Sequence, residues 1–87
     1  MYWDVVEVRP EADYELFVRF ANGVSGRIRL APESLTGALA PLRDPAFFDR
    51  VFIENGAVAW PGEIDLAPDA MYEEIARQAI EFERSQR

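Results

Sequence analysis

The sequence predicts an α+β domain: a small antiparallel sheet built from hairpins, with strands near residues 3–9, 14–20, 24–30, 50–54 and 57–60, a short helix near 45–49 and a C-terminal helix over about 68–84. Three observations carry this. Asn22-Gly23 and Asn55-Gly56 each stand between short apolar-rich runs, and a pair that tolerates positive φ is the strongest local mark of a chain that reverses and pairs with itself. Pro68 opens a stretch in which Met71, Ile75, Ala79 and Phe82 recur at helical spacing, with Tyr72 and Ala76 beside them. The 87 residues make one domain, and at 49% hydrophobic and 13% aromatic the chain is apolar enough to fold around a packed core without staples.

The first two strands flank Pro10-Glu11-Ala12-Asp13, read as their turn because Pro donates nothing to a ladder. In the second strand Tyr14, Leu16, Val18 and Phe20 share the core face, and Glu15, Phe17 and Arg19 the outer one. Register at Asn22-Gly23 follows from the rule that paired residues share a face. A two-residue loop would set Val18 against Arg27 and Leu16 against Arg29. A three-residue loop with Gly23 left-handed pairs Phe20 with Val24, Val18 with Gly26, Leu16 with Ile28 and Tyr14 with Leu30, and places Glu15 opposite Arg29 and Phe17 opposite Arg27 on the outer face. The second register is chosen.

Pro32, Gly37 and Pro41 forbid a long helix between Ala31 and Arg43, so that segment reads as a loop with one helical turn near Pro32-Glu33-Ser34-Leu35. Asp44-Pro45 opens the short helix, with Asp as N-cap and Pro at a position whose N–H is orphaned in any case. Of the adjacent Phe47 and Phe48 only one is expected to be fully buried. At Asn55-Gly56 a two-residue type I′ turn pairs Ile53 with Val58 and Val51 with Trp60 on the core face. A short extended piece, Glu63 to Leu66, leads into the last helix, whose exposed side holds Glu73, Glu74, Arg77, Glu81 and Arg84, with Glu73 and Arg77 as an i,i+4 pair.

The composition bounds function by what it removes. With no cysteine and no histidine the chain has no disulfide, no thiolate ligand and neither the commonest general base nor the commonest zinc ligand. Ser25, Ser34 and Thr36 have no base to activate them, and Asp4, Glu63, Asp65 and Asp69 follow no cation-binding spacing, so no enzyme activity, metal or cofactor is expected. Sixteen acidic against nine basic side chains, a net charge of −7, repel phosphate backbones and argue against direct nucleic-acid binding. The N-terminus has no signal-peptide pattern and no run reaches the ~18 apolar residues of a membrane span, so a soluble cytoplasmic protein is expected.

Three stretches carry a family resemblance: YELFVRFANG over 14–23, LRDPAFF over 42–48, and VAWPGEIDLAPD over 58–69. Their order and content resemble a family of small bacterial domains known as domain of unknown function 2442. That family usually has an Asn between the Pro and Gly of the third stretch, which this chain lacks. The resemblance implies an α+β domain with antiparallel strands and a C-terminal helix. It also implies an encoded small-protein neighbour and toxin–antitoxin-like pairing, and in some members a helix-turn-helix region beyond the domain; it transfers no catalytic residue.

Trp60, Pro61, Glu63 and Asp65 form the leading candidate partner-binding surface, an aromatic beside a Pro-Gly turn with a carboxylate rim, and Phe17 with Arg27 on the outer sheet face is the second. Each has a structural alternative, since register assigns Trp60 to the core and Asp65 stands where a carboxylate can serve the start of the Pro68 helix. Tyr2, Trp3, Glu7 and Arg9 outline an edge strand on which a second copy of the chain could pair, although the charges at Asp4, Glu7 and Arg9 also blunt such an edge. The functional expectation is a cytoplasmic protein-interaction module whose small partner is basic and encoded nearby. The alternative is an accessory or sensor domain of a transcription regulator without its own DNA-binding motif.

Overall fold

The computed structural model describes the backbone of residues 3–85 and the side chains of residues 3–81. Six strands form two three-stranded antiparallel sheets: β1 (Val5–Glu11), β2 (Glu15–Phe20) and β3 (Ser25–Arg29) in the order β1-β2-β3, and β4 (Phe52–Glu54), β5 (Ala57–Trp60) and β6 (Ile64–Leu66) in the order β4-β5-β6. Between them lie 3₁₀ turns at Pro32–Ser34 and Gly37–Arg43 and the short helix α1 (Pro45–Phe48), and α2 (Pro68–Ser85) closes the chain. The α+β class holds. The strands divide over two sheets, joined where the Val5 amide donates to the Gly56 carbonyl at 2.8 Å.

Both hairpin registers stand as the face rule requires. Leu16 pairs with Ile28, Val18 with Gly26, Phe17 with Arg27 and Glu15 with Arg29. The loop between them is closed by the Phe20 amide on the Val24 carbonyl at 2.8 Å, with Gly23 at φ +90° and the Asn22 side chain accepting from the Val24 amide at 3.1 Å. At the second corner Asn55 and Gly56 have φ of 52° and 76°, the two positive values of a type I′ turn, and Ile53 faces Val58.

Several boundaries and faces differ from expectation, each for a physical reason. β1 runs two residues later than the 3–9 reading, and Pro10 lies inside it opposite Leu16: as the outer strand of its sheet β1 loses little by a missing donor. The reversal therefore falls on Ala12 to Tyr14, where Asp13 and Tyr14 both take left-handed φ, 60° and 62°. β4 is shorter than 50–54, so Val51 stands outside the ladder, and Phe52 and Ile53 are both exposed although Ile53 pairs with buried Val58. β4 is an outer strand of its sheet, and although β1 approaches it, Phe52 and Ile53 stay 40% and 37% exposed. The loop from 31 to 43 contains a second 3₁₀ segment whose Leu42 is fully buried. Of the extended piece expected over Glu63 to Leu66, Ile64–Leu66 forms β6 and completes the second sheet by pairing with β5, whereas Glu63 belongs to the turn, with φ 64°.

The core joins both sheets to the helices through Val5, Leu16, Val18, Phe20, Ile28, Leu35, Leu42, Phe48, Val58, Trp60, Ile64, Met71 and Ile75. Asp44 caps α1, its Oδ1 accepting from the Ala46 amide at 3.0 Å, and of the two phenylalanines Phe48 is buried and Phe47 half-buried. Among the described side chains of α2, the buried ones lie in its first half. Met71 and Ile75 are buried, whereas Ala79, expected on the same stripe, is exposed and Ile80 is 53% exposed. The helix outruns the sheet it lies on. The side chains of Phe82 and Arg84, and the whole of Tyr2, fall outside the described residues. Arg77 pairs with Glu74 and Glu81, at 3.1 Å for the latter, rather than with Glu73.

Candidate functional site

Three surfaces compete for the role. The first is the hairpin between β5 and β6, which holds four of the six residues singled out in the sequence. Trp60 is 1% exposed: its Nε1–H donates to the Phe48 carbonyl at 2.8 Å and its ring lies 5.8 Å from that of Phe48. As a partner anchor Trp60 is corrected to a core residue, because the indole finds both apolar cover and a hydrogen-bond acceptor inside the domain. Pro61 is half-buried at the hairpin tip, Glu63 is exposed with φ 64°, and Asp65 is exposed in β6 opposite Ala59. Among the described residues the Asp65 side chain makes no hydrogen bond to the start of α2.

The second surface is the outer face of the first sheet. Pairing puts Glu7, Arg9 and Glu11 of β1, Glu15, Phe17 and Arg19 of β2, and Ser25, Arg27 and Arg29 of β3 on this one face. Half-buried Phe17 sits between two guanidinium groups, that of Arg9 4.4 Å and that of Arg27 5.7 Å from the ring centre. The arginines are largely neutralised within the face: Arg19 bonds Glu7 at 3.0 Å, and Arg27 bonds Glu11 at 2.6 Å and approaches Glu15 at 3.7 Å. The hydrogen bond from Arg27, aided by its charge, holds the Glu11 carboxyl below the usual glutamate range, and Glu11 in turn raises Arg27. Phe17 and Arg27 thus lie together, on the opposite side of the strand register from the Trp60 core and apart from Glu63 and Asp65.

The third surface was not foreseen. A cavity of about 420 Å³ opens between the β1–β2 turn and α1, lined by Pro10, Glu11, Ala12, Asp13, Tyr14, Pro45, Phe48 and Asp49. Its back wall is aromatic. Tyr14 meets Phe48 edge to face at 5.7 Å, its hydroxyl donates to the Arg43 carbonyl, and its own carbonyl accepts from the Leu30 amide at 2.8 Å. These contacts hold a tyrosine in the left-handed region, a conformation that costs roughly 1–2 kcal/mol for a residue with a Cβ. Residues 10–14 and 45–49 read separately as a turn and a helix start, and no local pattern says that they meet. Glu11 belongs to both the cavity and the outer face. Among the described residues no three His, Cys, Asp or Glu side chains come together to hold a metal ion, and no helix is long and apolar enough to cross a membrane.

Fold and surfaces together define a small α+β domain, two antiparallel sheets closed by a C-terminal helix. The chain belongs to the family described as Protein of unknown function (DUF2442), whose model matches residues 5–77. The matched span ends close to where α2 leaves the core, two residues after Ile75. Neither the curated proteins nor the solved structures yield a match.

Proposed function

We propose that this chain is a protein-interaction module that docks a small basic partner, the product of a neighbouring gene being the first candidate. The observation that supports it is the division of charge. The outer face of the first sheet holds four of the nine arginines and only three of the sixteen carboxylates, so the rest of the chain carries thirteen acidic against five basic side chains. A surface so biased steers a basic protein toward itself and accelerates encounter, more so at low salt. Trp60 takes no part in the contact. Phe17 lies on the arginine-lined face, so a basic partner meets the chain elsewhere, on its carboxylate-rich remainder.

Co-expression with the products of adjacent genes, followed by affinity capture through this chain, tests the reading. A complex is expected at low ionic strength, with association slowing as salt rises while dissociation changes less. Absence of any complex at low salt overturns it. Retention of duplex DNA in a mobility-shift assay would favour instead the accessory domain of a transcription regulator.

A further inference from the structure

We propose that the cavity between the β1–β2 turn and α1 is a receptor for an arginine side chain presented by a protein partner. The inference rests on the interaction reading above and names the contact within it. The cavity, about 420 Å³, lies within the size range of ligand pockets, and its walls are of two kinds. The half-buried Tyr14 and the prolines Pro10 and Pro45 form the apolar part, backed by Phe48, which is 2% exposed, while Glu11, Asp13 and Asp49 supply carboxylates and no lining residue is basic. Glu11 is already held by Arg27, which leaves Asp13 and Asp49, both exposed and with no ion-pair partner among the described residues.

An aromatic and proline lining beside unneutralised carboxylates complements a planar cation on an apolar stem. A guanidinium stacks on rings and binds carboxylates with two parallel N–H donors, whereas a lysine ammonium offers a point charge and an anion meets only repulsion. The same combination occurs within this chain, where the Arg27 guanidinium lies 5.7 Å from the Phe17 ring and is held by Glu11. The cavity brings the same residue types together, an aromatic ring and carboxylates, with no basic residue in its lining.

The test is an amide-resolved NMR titration of the full chain with N-acetyl-arginine amide, and with N-acetyl-citrulline amide as the neutral analogue of the same shape. Saturable shifts confined to residues 11–14 and 46–49 are expected, with the citrulline compound roughly tenfold or more weaker. Asp13→Asn combined with Asp49→Asn is expected to abolish the difference between the two compounds. Asn tolerates left-handed φ as Asp does, so this variant keeps its fold, which its own spectrum verifies. Equal binding of the two compounds, shifts centred elsewhere on the acidic surface, or no saturation overturns the proposal. The failures remain distinguishable: a partner captured equally well by the double variant sinks the arginine receptor and leaves the interaction module standing, while the small-molecule titration gives its answer even if no partner is captured.

Discussion

Gly26 of β3 lies so close to Ile75 of α2 that a Cβ added to the glycine would stand 2.7 Å from Ile75 Cγ2 and 3.3 Å from its Cγ1. Val18, opposite Gly26 in the ladder, is fully buried, so the glycine opens the gap through which the helix settles onto the sheet. A glycine inside a strand weakens it unless something needs the room. Here Ile75 does.

Gly26→Ala should therefore destabilise by about 1–3 kcal/mol despite the better strand propensity of alanine, since Ile75 is 3% exposed and has nowhere to withdraw. Urea denaturation measures this, and Ile75→Ala, which removes both clashing Cγ atoms, should cost less in the Gly26→Ala background than it does alone. A neutral or stabilising Gly26→Ala would show that the helix does not dock on this strand as described.

Among the described residues of α2 beyond Ile75, none is buried. Ile80 is 53% exposed and Ala79 is exposed, so Ile80→Glu is expected to change stability by less than about 0.5 kcal/mol, whereas Met71→Ala, at a residue 5% exposed, should cost about 2–5 kcal/mol. Equal losses from the two would place Ile80 against a surface of the same molecule.

What could be read from sequence was what depends on neighbours in the chain. The Asn-Gly corners and the parity of Leu16, Val18, Ile28 and Arg29 determined two registers, because a slip of one residue would send charges into the core. Asp44 and Pro45 announced α1 for an equally local reason. What failed depends on what lies across the fold. Ile53 has the pattern of a core residue, but only tertiary structure says that β4 is an outer strand on which it stays exposed. The apolar stripe of α2 continues through Ala79 with no sheet left to receive it. Trp60 beside a Pro-Gly turn reads equally as anchor or core, and the Phe48 carbonyl that decides the matter is twelve residues away. The cavity, built from two segments more than thirty residues apart, had no signature at all.

Acid should weaken the fold through Glu11 in a direction fixed by its partner. Because the Arg27 hydrogen bond holds the folded-state value below the ordinary glutamate figure of 4.5, the unfolded chain binds more protons at this site as pH falls. The stabilisation is thus complete above the ordinary value and is lost as pH drops through the lowered one; Glu74, bonded to Arg77, behaves alike. Glu11→Gln should lower the urea midpoint slightly at neutral pH, the gap should close near pH 2, and added salt should shrink it at neutral pH, since the pair is exposed. A gap that persists unchanged at pH 2 would mean that the glutamate acts through packing and not through its charge.

The junction of α1 with the second sheet rests on one donor. Trp60 Nε1–H reaches the Phe48 carbonyl at 2.8 Å in the buried interior, and the two rings pack at 5.8 Å, so the indole fills volume and satisfies a carbonyl at the end of the helix at once. Trp60→Phe keeps an aromatic ring but removes the donor and leaves space, and the combined loss should be about 2–4 kcal/mol, a large share of the 5–15 kcal/mol typical of a whole domain. Denaturation followed by circular dichroism avoids relying on tryptophan emission, which Trp3 would share. The change should also propagate to the cavity, because Phe48 forms its wall: the amides of residues 46–49 should shift and any binding of N-acetyl-arginine amide should weaken together with stability. A loss below about 0.5 kcal/mol would show that Trp60 is dispensable to the core and return it to the list of surface candidates.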